Sequence, residues 1–249
     1  MAQREVVIRL EHISKKYKDK TALKACNICF EKGRIYGIVG PNGAGKTTMF
    51  GIMAGLIRPT EGRLELFGET GSSVQVRSRM SFLIELPCLD GEMTSCQNLK
   101  YVMLLSGLKE ERRIQDVLRM VGLEREAHKR VKTFSLGMRQ RMGIAMALIR
   151  EPEVLVLDEP MNGLDPEGVV QMRRLLKDLC EKRQVTVIIS SHILGELDRL
   201  ADEFVLIKDG TILTQIEKSA LEERKQTEGL ESLEDFYLKK VGAADEAFD

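Results

Sequence analysis

The sequence predicts an α/β fold built on a mostly parallel sheet with helices on both faces. Three observations lead there. The final third alternates short apolar runs with helical patterns, the wiring of a parallel sheet. The opening is rich in strand-like runs, part of them expected to be antiparallel. Between the two, residues 95–150 carry helical spacing, as a helical insertion would.

Residues 6–10, 25–30 and 35–39 read as strands, residues 47–54 as a helix, 58–62 as a turn and 63–67 as a further strand. Leu99, Val102, Met103 and Leu105 lie close to helical spacing over residues 95–107. Ile114, Val117, Leu118 and Val121 repeat at i, i+3, i+4 and i+7 over residues 109–121, with Gly107 and Gly122 as stops. Residues 154–157 and 185–190 are buried-strand patterns; residues 167–182 and 193–201 are helices. Residues 204–208 and 212–216 form a hairpin across Asp209 and Gly210, and the charged tail from Glu217 is helical, with an apolar stripe of Leu230, Leu233, Phe236 and Tyr237. The parts divide as 1–94, 95–150, 151–216 and 217–249 of a single domain.

The stretch Gly40-Pro41-Asn42-Gly43-Ala44-Gly45-Lys46-Thr47-Thr48 sits between the strand at 35–39 and the helix that follows. Its spacing, G-x-x-x-x-G-K-[ST], reads as a loop cradling nucleotide phosphates. Glycines let the backbone wrap an anion closely. The helix N-terminus adds unpaired N–H groups and the positive end of its dipole. Lys46 is placed to reach the β- and γ-phosphates, and the Thr47 hydroxyl to hold Mg²⁺. Val154-Leu155-Val156-Leu157 then ends in Asp158 and Glu159. Strand C-termini are where open α/β sheets place ligands. Asp158 is a candidate for Mg²⁺, and Glu159 for polarising an attacking water, provided it lies within hydrogen-bond reach.

Composition narrows the class. Over 249 residues the chain is 43% hydrophobic and 31% charged, with 38 Lys+Arg against 38 Asp+Glu. A formal charge of zero offers no support for nucleic-acid binding. No apolar run approaches a membrane span, and Arg4, Glu5 and Arg9 interrupt any signal-peptide core. A cytoplasmic protein is expected. Cys26 and Cys29 have C-x-x-C spacing, but on a strand they face opposite ways. Buried small side chains are the reading, not a metal or redox pair.

Further segments fall in an order that resembles the ATP-binding cassette (ABC) ATPases. Phe134-Ser135-Leu136-Gly137-Met138-Arg139-Gln140-Arg141 resembles the family signature, Asn162-Gly163-Leu164-Asp165-Pro166 its D-loop, and Ser190-Ser191-His192 its switch histidine. Tyr17 sits where the family places an aromatic that stacks on adenine. The resemblance implies a P-loop NTPase of ABC type, with a RecA-like core, an antiparallel β subdomain and an α-helical subdomain. It implies that ATP and Mg²⁺ are bound by the phosphate loop of one chain and capped by Ser135 and Gly137 of another, so that ATP closes a homodimer or a pair of cassettes. Asp165 contributes at the same junction, and His192 senses the γ-phosphate.

The sequence departs from the pattern twice. Phe134, Leu136 and Met138 stand where Leu, Gly and Gln are usual, and Glu85 stands where a glutamine contacts Mg²⁺ and the attacking water. Both departures resemble bacitracin- and lantibiotic-type exporters. That implies an ATPase subunit on the inner face of the membrane, held there by a separate permease that contacts residues 86–101, with efflux of peptide antibiotics or similar compounds. Two other classes stay open: a soluble ABC ATPase acting on DNA or ribosomes, and a weakly catalytic regulatory cassette. Zero net charge, and the lack of a coiled-coil insertion or second cassette, weigh against the first.

Overall fold

A computed structural model describes residues 4–70, 73–84 and 87–246. Two strands of 12 residues, β1 (Val6–Tyr17) and β2 (Lys20–Glu31), open the chain. Next come β3 (Ile35–Val39), α1 (Lys46–Ala54), β4 (Glu61–Leu66), β5 (Glu69–Thr70), α2 (Val74–Arg77) and β6 (Met80–Leu83). The middle holds α3 (Ser95–Leu105), α4 (Arg112–Met120) and α5 (Leu136–Leu148). Then follow β7 (Val154–Asp158), α6 (Pro166–Arg183), β8 (Thr186–Ser190), α7 (Leu194–Leu200), β9 (Glu203–Lys208) and β10 (Thr211–Glu217). Helices α8 (Lys218–Glu228) and α9 (Leu233–Glu246) close the described chain.

Among the described residues, β2-β1-β4-β5 form an antiparallel sheet and β10-β9-β3-β8-β7-β6 a second, parallel except for β10. The second sheet is covered on both faces, and side-chain alternation shows how. Along β7, Leu155 and Leu157 join the core that also holds Leu99, Leu118 and Met142. Val154 and Val156 join the core holding Ile8, Phe50 and Tyr36. A strand buried on both faces needs a continuous apolar run, and Val154-Leu155-Val156-Leu157 supplies it.

Several boundaries move from the sequence expectation. β1 runs on past Leu10 to Tyr17, and the fourth strand starts at Glu61 and stops at Leu66, because Phe67 takes a left-handed φ of 51°. Helix α4 starts at Arg112, not Lys109. Strands β5 and β6 and helix α2 lie in a stretch given no element from sequence. The hairpin turn is as expected: Asp209 and Gly210 have φ 47° and 77°, the mirror-image geometry that matches strand twist. Cys26 is buried with its thiol donating to Gly210 O at 3.3 Å, while Cys29 is half-buried. Burial pushes both thiols up, away from the thiolate that metals and redox partners require. Leu233 and Phe236 of the tail stripe are buried, with Leu230 and Tyr237 packed beside them.

Candidate active site

The phosphate loop leaves β3 at Gly40 and enters α1 at Lys46. The β9–β10 turn presses on it: the Gly210 N–H donates to Ala44 O at 2.9 Å, and the Lys24 N–H donates to Gly210 O at 2.7 Å. Gly45 takes φ 109°, and a Cβ there would sit 2.6 Å from Ala22 O and 2.8 Å from Leu23 Cδ2. Only glycine fits that position. No side chain caps the N-terminus of α1, which leaves its first N–H groups for an anion. Lys46 is buried and lies back across the loop, donating to Gly40 O at 2.6 Å and Pro41 O at 3.2 Å.

Asp158 closes β7 and is the register partner of Ser190 at the end of β8. Its carboxylate is held on both oxygens. Thr47 Oγ1 donates to Oδ2 at 2.9 Å, and Ser190 Oγ donates to Oδ1 at 2.5 Å. Glu159 has φ 51°, uncommon for a residue with a Cβ, and its N–H donates to Ser190 Oγ at 2.9 Å. Glu159 Oε2 accepts the His192 N–H at 3.2 Å and lies 2.6 Å from His192 Nδ1. Its Oε1 is buried and accepts no hydrogen bond among the described residues. An orphaned acceptor of that kind is one a water can satisfy.

Tyr17, the phosphate loop including Thr48, Asp158 and Glu159 line one cleft of about 280 Å³. Tyr17 is 44% exposed, with Lys15 Nζ 4.8 Å from its ring centroid. Ser135, Gly137 and Asp165 are not in that cleft. They line a second one, of about 380 Å³, together with Leu136 and Leu164. Ser135 caps α5, its Oγ accepting the Met138 N–H at 3.3 Å; Asp165 caps α6, its Oδ1 accepting the Gly168 N–H at 2.9 Å. The sequence-derived site residues thus form two groups on one chain. The Glu85 expectation lies outside the described residues. Ser190 had no role of its own in the sequence reading; its signal was its place at the end of the apolar run 185–190, the strand that pairs with β7.

The ABC transporter family matches residues 23–162. The bacitracin transport ATP-binding protein BcrA of Bacillus licheniformis is 40% identical over 222 residues, 88% of this chain and 72% of that protein. The lantibiotic transport ATP-binding protein SrtF of Streptococcus pyogenes is 36% identical over 235 residues, 94% of this chain and 97% of that one. A solved ATP-binding subunit of an ABC transporter superposes with a TM-score of 0.82 at 27% identity, over 94% of this chain and 99% of its own. These matches agree with the order of motifs and with the two-sheet architecture. The chain belongs to the ABC transporter family, as an ATP-binding subunit that hydrolyses ATP.

Proposed function

We propose that two copies of this chain, or this chain and a second cassette, close on ATP and drive a separate membrane permease that exports peptide antibiotics. One observation carries the paired arrangement: the phosphate loop and the Ser135–Gly137 segment line different clefts of the same chain. A γ-phosphate seated in the first cleft therefore meets Ser135, Gly137 and Asp165 only from a partner. In this reading Tyr17 stacks on adenine, Lys46 and the loop N–H groups bind phosphates, and Glu159 takes a proton from the attacking water while His192 holds its carboxylate. The paired hydroxyl and carboxylate oxygens of Thr47 and Asp158 fit Mg²⁺, a hard cation that takes few protein oxygens besides substrate phosphates. Bound there, Mg²⁺ supplies charge neutralisation at the β- and γ-phosphate oxygens.

The cargo reading rests on the identities with the bacitracin and lantibiotic transport proteins. No helix among the described residues is long and apolar enough to cross a membrane, which fits a permease carried on another chain and a place at the inner face of the membrane. The test is co-expression, in a susceptible host, with candidate multi-span permeases, taking first any that a neighbouring reading frame encodes. Resistance to bacitracin or a lantibiotic should rise with the wild-type chain and not with Glu159→Gln. Equal resistance with both chains refutes coupling to hydrolysis, and no change with either refutes the cargo.

A further inference from the structure

We propose that Ser190 is a positioning residue that sets both acidic side chains of the site at once; this rests on the reading of Asp158 and Glu159 given above. Ser190 is fully buried at the last position of β8. A hydroxyl carries one proton and two lone pairs, and here both capacities point at the site. The proton goes to Asp158 Oδ1 at 2.5 Å, and a lone pair receives the Glu159 N–H at 2.9 Å. No other side chain among the described residues hydrogen-bonds to both.

Two consequences follow. Because Oδ1 is engaged by Ser190, Asp158 presents Oδ2 to Thr47, fixing which carboxylate oxygen faces the metal position. Glu159 sits in a left-handed conformation, φ 51°, which costs free energy unless its surroundings hold it. The N–H bond to Ser190 is one such hold. The backbone turn at Glu159 aims its carboxylate toward His192, so a single hydroxyl governs the orientation of the metal-facing oxygen and of the water-facing carboxylate. The neighbouring Ser191 cannot substitute. Its Oγ is turned into its own loop, accepting the Ile193 N–H at 3.0 Å.

The test compares wild type, Ser190→Ala, Ser190→Thr and Asp158→Asn in the full chain. Calorimetry gives ATP affinity with and without Mg²⁺ and the Mg²⁺ concentration that half-saturates binding; phosphate release gives kcat and KM. Residues that orient metal ligands typically contribute about 10–100-fold in metal affinity or activity. Ser190→Ala is therefore expected to raise the half-saturating Mg²⁺ and lower kcat by about that factor. Metal-free ATP affinity and KM at saturating Mg²⁺ should stay within about twofold, since uniform binding is untouched. Ser190→Thr, which keeps the hydroxyl, should restore the wild-type Mg²⁺ dependence. Wild-type Mg²⁺ dependence and kcat in Ser190→Ala overturn the proposal. So does equal weakening with and without metal, the mark of a merely structural residue. Unchanged Mg²⁺ dependence in Asp158→Asn overturns the underlying site reading and the proposal with it, and that arm separates the two failures.

Discussion

His192 Nδ1 lies 2.6 Å from Glu159 Oε2 although 33 residues separate them in the chain. The parallel register of β7 on β8 makes the contact, because it sets Asp158 opposite Ser190 and so carries the next residues of both strands past the sheet edge together. One carboxylate oxygen is thus occupied by the histidine, and the other, Oε1, is buried with no hydrogen-bond partner among the described residues. That geometry suits a base whose free oxygen receives a proton and whose other oxygen is fixed. Glu159→Gln is expected to lose about 10²–10⁴ in turnover while still binding ATP. His192→Ala should lower kcat with little change in ATP affinity, since Glu159 stays in place but is no longer aimed. Phosphate release and a binding titration on each variant check this; an unchanged rate in Glu159→Gln removes its assignment as the base.

Lys46 and Gly45 can be separated by experiment although they are neighbours. Lys46→Ala removes an ammonium that is buried beneath the loop and satisfied by two carbonyls. It should abolish ATP binding, and unchanged affinity would rule out the phosphate-binding role. Gly45→Ala forces a Cβ to within 2.6 Å of Ala22 O at a φ of 109°. Such a strained residue costs about 1–3 kcal/mol before any clash is counted. A drop in thermal midpoint is therefore expected for Gly45→Ala together with the loss of binding.

Ser135 allows a test of the paired site. It is absent from the cleft that holds the phosphate loop. Ser135→Ala should leave ATP affinity of the dilute single chain unchanged but lower turnover at concentrations where chains pair. Loss of the cap on α5 should also lower stability by about 0.5–2 kcal/mol, seen as a lower unfolding midpoint. If the dilute chain loses ATP affinity instead, the site is completed within one chain and the paired reading fails.

How legible all this was depends on whether the cause was local. The phosphate loop and the hairpin at Asp209-Gly210 rest on local backbone chemistry, and each lies where the sequence put it. The buried strands β3, β7 and β8 were readable as short, mostly apolar runs. Strand β6 was not. Met80-Ser81-Phe82-Leu83 is four residues long, and its place comes from parallel pairing with β7, more than seventy positions on. The far end of β1 was hidden by Lys15 and Lys16, half-buried and exposed respectively, while register shifts let the strand keep pairing with β2. The Glu159–His192 contact and the double role of Ser190 need the β7–β8 register, which no local pattern encodes.

At the sheet end opposite the phosphate loop, Glu153 joins three segments. It accepts from Arg79 Nε at 2.7 Å and from Lys32 Nζ at 3.1 Å, just before β7 begins, while Arg79 precedes β6 and Lys32 precedes β3. The hydrogen bond from Arg79, aided by Lys32, holds its carboxyl below the ordinary value of 4.5. Folding therefore favours the ionised form, and its contribution is present above the unfolded value and lost as pH falls through the lower folded value. With its side chain 34% exposed, solvent screening limits the pair energies to under about 1 kcal/mol each. Glu153→Gln should unfold at lower urea than wild type at neutral pH. The gap should begin to narrow as pH falls below the ordinary value of 4.5 and close only below the lower folded value, where both chains carry a neutral side chain at that position. ATP affinity should not change at any pH, since Glu153 is remote from the cleft. Urea midpoints measured from neutral pH down to about pH 3 decide it: a gap of constant size would show that the loss comes from packing, not from the charge.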